Sequence, residues 1–190
     1  MRLSSLCYPF LGCCLLAATS TSILAQGGPP GPPVGTHVSP AAAYDKLLTG
    51  MEKEFVDAAE AMPADKFNFS PPASAGDFKG VRTFGEQVKH VADANYYFFH
   101  DPEVPMPKDD PIAKLTSKDD IIKALKESFV VAHKYIAGIT DENDFVMTKN
   151  GTRGGQAAFG LAHMMDHYGQ ICVYLRMNGI VPPASRKSSM

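Results

Sequence analysis

Cysteine is scarce in this 190-residue chain and badly placed for cross-linking. Three of the four, Cys7, Cys13 and Cys14, lie in the first fourteen residues, and only Cys172 stands beyond them. If the leader is removed, no internal disulfide is possible, so the domain must be held by its core or by a metal. Basic runs interleaved with aromatics are also missing, which argues against a nucleic-acid partner. Alternating apolar and polar stretches of strand length do not occur, nor do internal repeats, so a sheet-based or solenoid fold has little support. Charge is close to balance. Without Arg2 the remainder carries 17 basic and 20 acidic side chains.

What is present begins with a leader. Arg2 precedes "LCYPFLGCCLLAATSTSILA", an apolar stretch that relaxes into small residues. This predicts a secretory signal peptide over residues 1–25, cleaved after Ala25, and hence a periplasmic or extracellular location. Its strongly apolar core of about ten residues is too short to favour a spanning helix, so no membrane span is expected after its removal. A lipoprotein alternative exists at Cys13, which follows Leu-Gly, although the stretch before it is short for a signal. Residues 26–40 are Pro/Gly-rich and read as a tether. The domain then spans 41–184, followed by a disordered tail at 185–190.

Four amphipathic helices are expected in that domain. Ser39-Pro40 offers a cap and a first-turn proline for helix one, and Tyr44, Leu47, Leu48, Met51, Phe55, Ala58, Ala59 and Met62 mark its apolar stripe. Thr83 and Glu86 form a candidate capping box for helix two, which runs to about His100. Ser117 starts helix three, whose stripe is Ile122, Leu125, Phe129, Ala132, Ile136 and Ile139. Helix four spans about Gln156 to Asn178, where Asn178-Gly179 provides a stop. Together they predict an all-α, antiparallel four-helix bundle.

The chemistry lies in "FGLAHMMDHYGQICVYLRMNGIVPPAS", residues 159–185. His163 and His167 are spaced i, i+4, so both imidazoles leave one face of helix four and can share an ion. Gln170 and Tyr174 continue that polar face. Such pairs are common on solvent-facing helices, and alone they say little. His90, in the middle of helix two between the apolar Val88 and Val91, offers a third imidazole from another helix. Three neutral imidazoles would make a facial site with open positions, suited to zinc, nickel or another divalent transition metal. Against this stands a lone, hydrogen-bonded or half-exposed His90. Glu86 and Asp93, one turn from His90, read first as capping or solvated carboxylates. His37 falls in the tether, His133 falls off the helix-three stripe and is expected to be exposed, and His100 ends helix two, where a cation suits the helix dipole.

"FGEQVKHVADANYYFF", followed about seventy residues later by "GLAHMMDHYGQICVYLRMNGIVPP", resembles the DinB family, the DinB/YfiT-like metalloenzymes. That resemblance covers residues 41–184. It implies a four-helix bundle in which His90, His163 and His167 hold a divalent metal, commonly nickel or zinc. Members of known activity include transferases that use low-molecular-weight thiols and a thiol-dependent isomerase. The export segment argues against a thiol partner, because such cofactors are cytoplasmic. Hydrolysis through a metal-activated water is then the alternative. The expected function is that of an exported metal-dependent hydrolase or transferase acting on a small molecule not named by the sequence. The competing expectation is a non-catalytic bundle that uses the metal structurally or binds a ligand or partner. A homodimer is compatible with either.

Overall fold

A computed structural model describes residues 31–101 and 111–187. The signal-peptide reading for 1–25, the Cys13 alternative and the last three residues of the tail lie outside the described residues. The chain divides after Thr36, and the second unit begins at His37. The second unit carries four helices, α1 (Pro40–Ala61), α2 (Phe84–Phe98), α3 (Lys118–Ala137) and α4 (Arg153–Met177). No helix among the described residues is long and apolar enough to cross a membrane.

Each helix starts where a short polar side chain satisfies a free backbone N–H. Ser39 Oγ accepts from Ala42 N at 3.3 Å, Ser117 Oγ from Asp120 N at 3.1 Å, and Thr152 Oγ1 from Gly155 N at 3.0 Å. On α2 the capping box is complete: Glu86 N donates to Thr83 Oγ1 at 3.3 Å and Thr83 N to Glu86 Oε2 at 2.7 Å. Such caps contribute about 1 kcal/mol each. At the other end of α1, Lys118 Nζ donates to the carbonyls of Glu60 (2.8 Å) and Met62 (2.7 Å), supplying partners at the end of the helix.

The helices form a ring in which α1 packs on α3 and α4, and α2 on α3 and α4. Contacts give the directions. Gln87 meets Gln170 while Phe98 meets Phe159, so α2 and α4 are antiparallel. Lys118 reaches the end of α1 and His133 reaches Asp45 near its start, so α1 and α3 are antiparallel too. Across the other two faces, Asn95 meets Ser128 and Phe99 meets Tyr135, while Tyr44 meets Asp144 and Phe55 meets Tyr168; α2 runs with α3 and α1 with α4. Antiparallel pairing therefore holds on the face that carries His90, His163 and His167.

Leu48, Phe55, Met62, Phe84, Phe99, Leu125, Phe129, Ile136, Met164, Ile171 and Leu175 are fully buried between the helices. At about 1.5–3 kcal/mol for each such side chain, this core carries the fold, with no disulfide among the described residues. Cys172 is free and half-buried. Phe159 and Val173, which belong to the apolar neighbourhood of helix four in the sequence, are exposed.

Two local features depart from expectation. First, α4 begins at Arg153, three residues before Gln156. Thr152 caps it, and Gly154 leaves the space a Cβ would fill to the Asp144 carboxylate and the Tyr44 hydroxyl. Second, β1 (Met147–Thr148) and β2 (Gly151–Thr152) pair antiparallel just before α4, with Gly151, the first residue of β2 after the turn, at φ +103°. Two-residue strands are too short to leave an alternating pattern. Beyond α4, Pro183–Ser185 forms a 3-10 turn packed on α1.

Candidate metal centre

Helix geometry brings three imidazoles to one point between α2 and α4. His163 and His167 project from one face of α4 across one turn, and His90 faces them from α2. His163 Nε2 lies 3.2 Å from His90 Nε2 and 3.2 Å from His167 Nε2. One ligand atom from each of the three lies within 4.8 Å of the others. His167 is buried; His90 and His163 are half-buried, so one side of the cluster faces outward. The Phe98 ring stands beside His163, with centroids 5.2 Å apart.

The close approach depends on a missing side chain. A Cβ on Gly160, three residues before His163, would meet Phe99 Cζ at 2.6 Å and Phe98 Cβ at 3.2 Å. Only glycine lets α4 lie this near the end of α2.

Donor chemistry decides which nitrogen of His167 points inward. Asp166 can only accept, so Gln170 Nε2 donates to Asp166 Oδ2 at 3.2 Å. Gln170 Oε1 is then left to accept from Gln87 Nε2 at 2.7 Å. Gln87 Oε1 in turn lies 2.7 Å from His167 Nδ1, which must therefore carry the proton. The Nε2 of His167 is consequently a lone pair aimed into the cluster, as a metal ligand must be. Gln87 is 3% exposed, so this amide is committed to its two partners.

All three imidazoles are held below the ordinary histidine pKa. Burial is the main cause for each, and it pushes His167 down to about 4. The positive Arg82 guanidinium acts in the same direction on all three. Neutral imidazoles are the form a metal binds. The two separations made by His163 Nε2, both 3.2 Å, fit as well: nitrogen–metal bonds of about 2.0–2.1 Å at tetrahedral angles place nitrogens roughly 3.3 Å apart. Three histidines of the chain can thus hold a divalent metal ion.

Other residues singled out in the sequence fall elsewhere. Glu86 caps α2, and the Thr83 backbone N–H holds its carboxyl below the usual range. Asp93 is exposed on α2, outside the three-histidine cluster. His37 lies 3.6 Å from Asp141. His100 has Nδ1 2.6 Å from Tyr97 O and accepts from Asn150 Nδ2 at 3.1 Å. His133 is not exposed as expected; it is half-buried, 2.6 Å from Asp45 Oδ1 and 2.9 Å from Glu52 Oε2. Those two acids stand two turns apart on α1 and clamp the imidazole from both sides.

Gln87 and Arg82 escaped the sequence reading. Gln87 left one usable signal, a polar residue three before His90 and therefore on the same helix face. Arg82 left none, being an exposed residue just outside a helix cap.

A sequence model described as the DinB superfamily matches residues 47–171, about two thirds of the chain and all three histidines. No curated protein matches the sequence significantly. On the family match, the chain belongs to the DinB superfamily.

Proposed function

We propose that this DinB-superfamily protein is an exported metalloprotein that holds one zinc or nickel ion on His90, His163 and His167. Its reaction is hydrolysis or group transfer on a small molecule. The observation that carries this reading is the convergence of three Nε2 atoms, two of the separations being 3.2 Å, with the His167 lone pair turned inward by Gln87. Among the described residues no fourth ligand closes the group. A closed shell of four is the mark of a structural zinc site, whereas an open position is what catalysis needs. The core, moreover, is filled by apolar side chains independently of the cluster. When bound, the ion supplies Lewis acidity and lowers the pKa of a ligated water towards neutrality. The chain's own residues hold the ion, fix the imidazole tautomer and leave the outward side open. Export rests on the leader sequence alone.

Metal analysis of untagged protein tests the site. Parent protein should carry about one equivalent of divalent metal, and His90→Ala and His163→Ala should each lose it. A parent without metal, and variants with unchanged melting, would sink the reading.

A further inference from the structure

Arg82 is an exposed cation on the side of the bundle that carries His90. Its residue borders a cavity of about 480 Å3 whose lining also includes His90, Glu86, Lys89 and Asp93. The backbone there is pinned to the helix that carries the histidine pair, because Tyr174, on α4, donates its hydroxyl to Arg82 O at 3.1 Å. Other charges around the cavity are engaged. Lys89 Nζ donates to the carbonyls of Ala113 and Leu115, both at 3.1 Å, and Glu86 accepts from the Thr83 amide. Among the described residues the Arg82 guanidinium has neither an ion pair nor a hydrogen bond.

Three imidazoles are neutral ligands, so a divalent ion held by them keeps its full charge of two. A guanidinium on the same cavity as His90 adds to that charge. Such an arrangement repels further cations and stabilises an anion that meets the metal side and the guanidinium together. A guanidinium also matches planar or tetrahedral oxyanions through two parallel N–H donors, which an ammonium cannot do.

Resting on the metal-binding reading above, we infer that the substrate of this centre carries an oxyanion, a carboxylate or a phosphate, held by Arg82 at the cavity beside His90. Arg82 is therefore a specificity residue of the open side, and the class of substrate is an organic acid or a phosphate ester.

Cobalt-loaded full chain provides the test, because the visible spectrum of the ion reports on its surroundings. The loaded protein is titrated with inorganic phosphate in one arm and with acetate in the other. At least one anion should give a saturable spectral change in the parent, and the tighter of the two assigns phosphate or carboxylate. Arg82→Gln should weaken that anion tenfold or more while binding the same amount of cobalt, and Arg82→Lys should fall between. Arg82 is exposed and its side chain has no partner, so both variants are expected to fold as the parent does. Undiminished anion affinity in Arg82→Gln, or no spectral response in a cobalt-loaded parent, overturns the inference and leaves the metal site standing. A parent that takes up no cobalt overturns both.

Discussion

Two histidine sites between the helices of the bundle are opposites. Between α2 and α4, His90, His163 and His167 face one another with no carboxylate in the cluster. Burial and the Arg82 charge keep them neutral. Between α1 and α3, His133 sits in the grip of Asp45 and Glu52. Burial acts downward there as well, but the hydrogen bonds to Glu52 and Asp45, reinforced by their charges, raise its pKa above 6.5. One residue type thus serves as a lone-pair donor on one face and as a cation on another. The surrounding acids make the difference.

The sharpest way to break the contrast is Gly160→Ala. Its methyl group must displace the Phe99 ring or part α2 from α4, at a cost of about 1–3 kcal/mol, read by urea unfolding. Metal affinity should fall with it, whereas the His133 titration followed by NMR should stay put. Unaltered metal affinity would mean that helix spacing does not set the cluster.

Gln87 probes the same face more gently. Gln87→Met removes the acceptor for His167 Nδ1–H and should weaken metal binding about 10–100-fold, the usual cost of losing such a supporting partner. Gln87→Glu keeps an acceptor there and should retain most of the affinity. Equal losses in the two, measured by competition with a chelating dye, would show that bulk rather than tautomer matters.

The smallest effect belongs to His133. Its folded pKa is raised, so the clamp stabilises fully below the unfolded value of about 6.5 and fades as pH rises through the folded value. His133→Gln should flatten that alkaline loss by about 1 kcal/mol or less, since Asp45 and Glu52 are partly exposed. Without metal, the three-histidine cluster has the reverse sign. Its depressed pKa values stabilise above about 6.5 and the contribution is lost as pH falls. A parent whose stability does not change above pH 6.5 would argue against a charged His133.

The helices were readable from sequence because their signals are local. Ser39, Thr83 and Ser117 cap as their types suggest, and the three- and four-residue apolar steps mark the buried faces, except at Leu47, which is exposed. The histidine pair was half readable: spacing put His163 and His167 on one face, while the meeting with His90 depends on how two helices pack. Gly160 looked like any helical glycine until Phe99 was found against it. The acids that charge His133 come from another helix and 81 to 88 residues away in the chain, so its surroundings leave no trace in the neighbouring sequence. The early start of α4 was hidden by Gly154 and Gly155, poor helix formers whose value there is the room they leave.

Gln87 has one more consequence. Its single amide touches both His167 and Gln170, three residues apart on α4, from a buried position on α2. Apolar side chains on two helices can exchange partners if one helix slides by a turn, about 5.4 Å. An amide cannot do so freely: a one-turn slip takes it off His167 Nδ1 and Gln170 Oε1, at about 1–3 kcal/mol for each polar group left without a partner. Gln87 therefore acts as a register pin, selecting one alignment of α2 on α4 from several that the apolar core would tolerate.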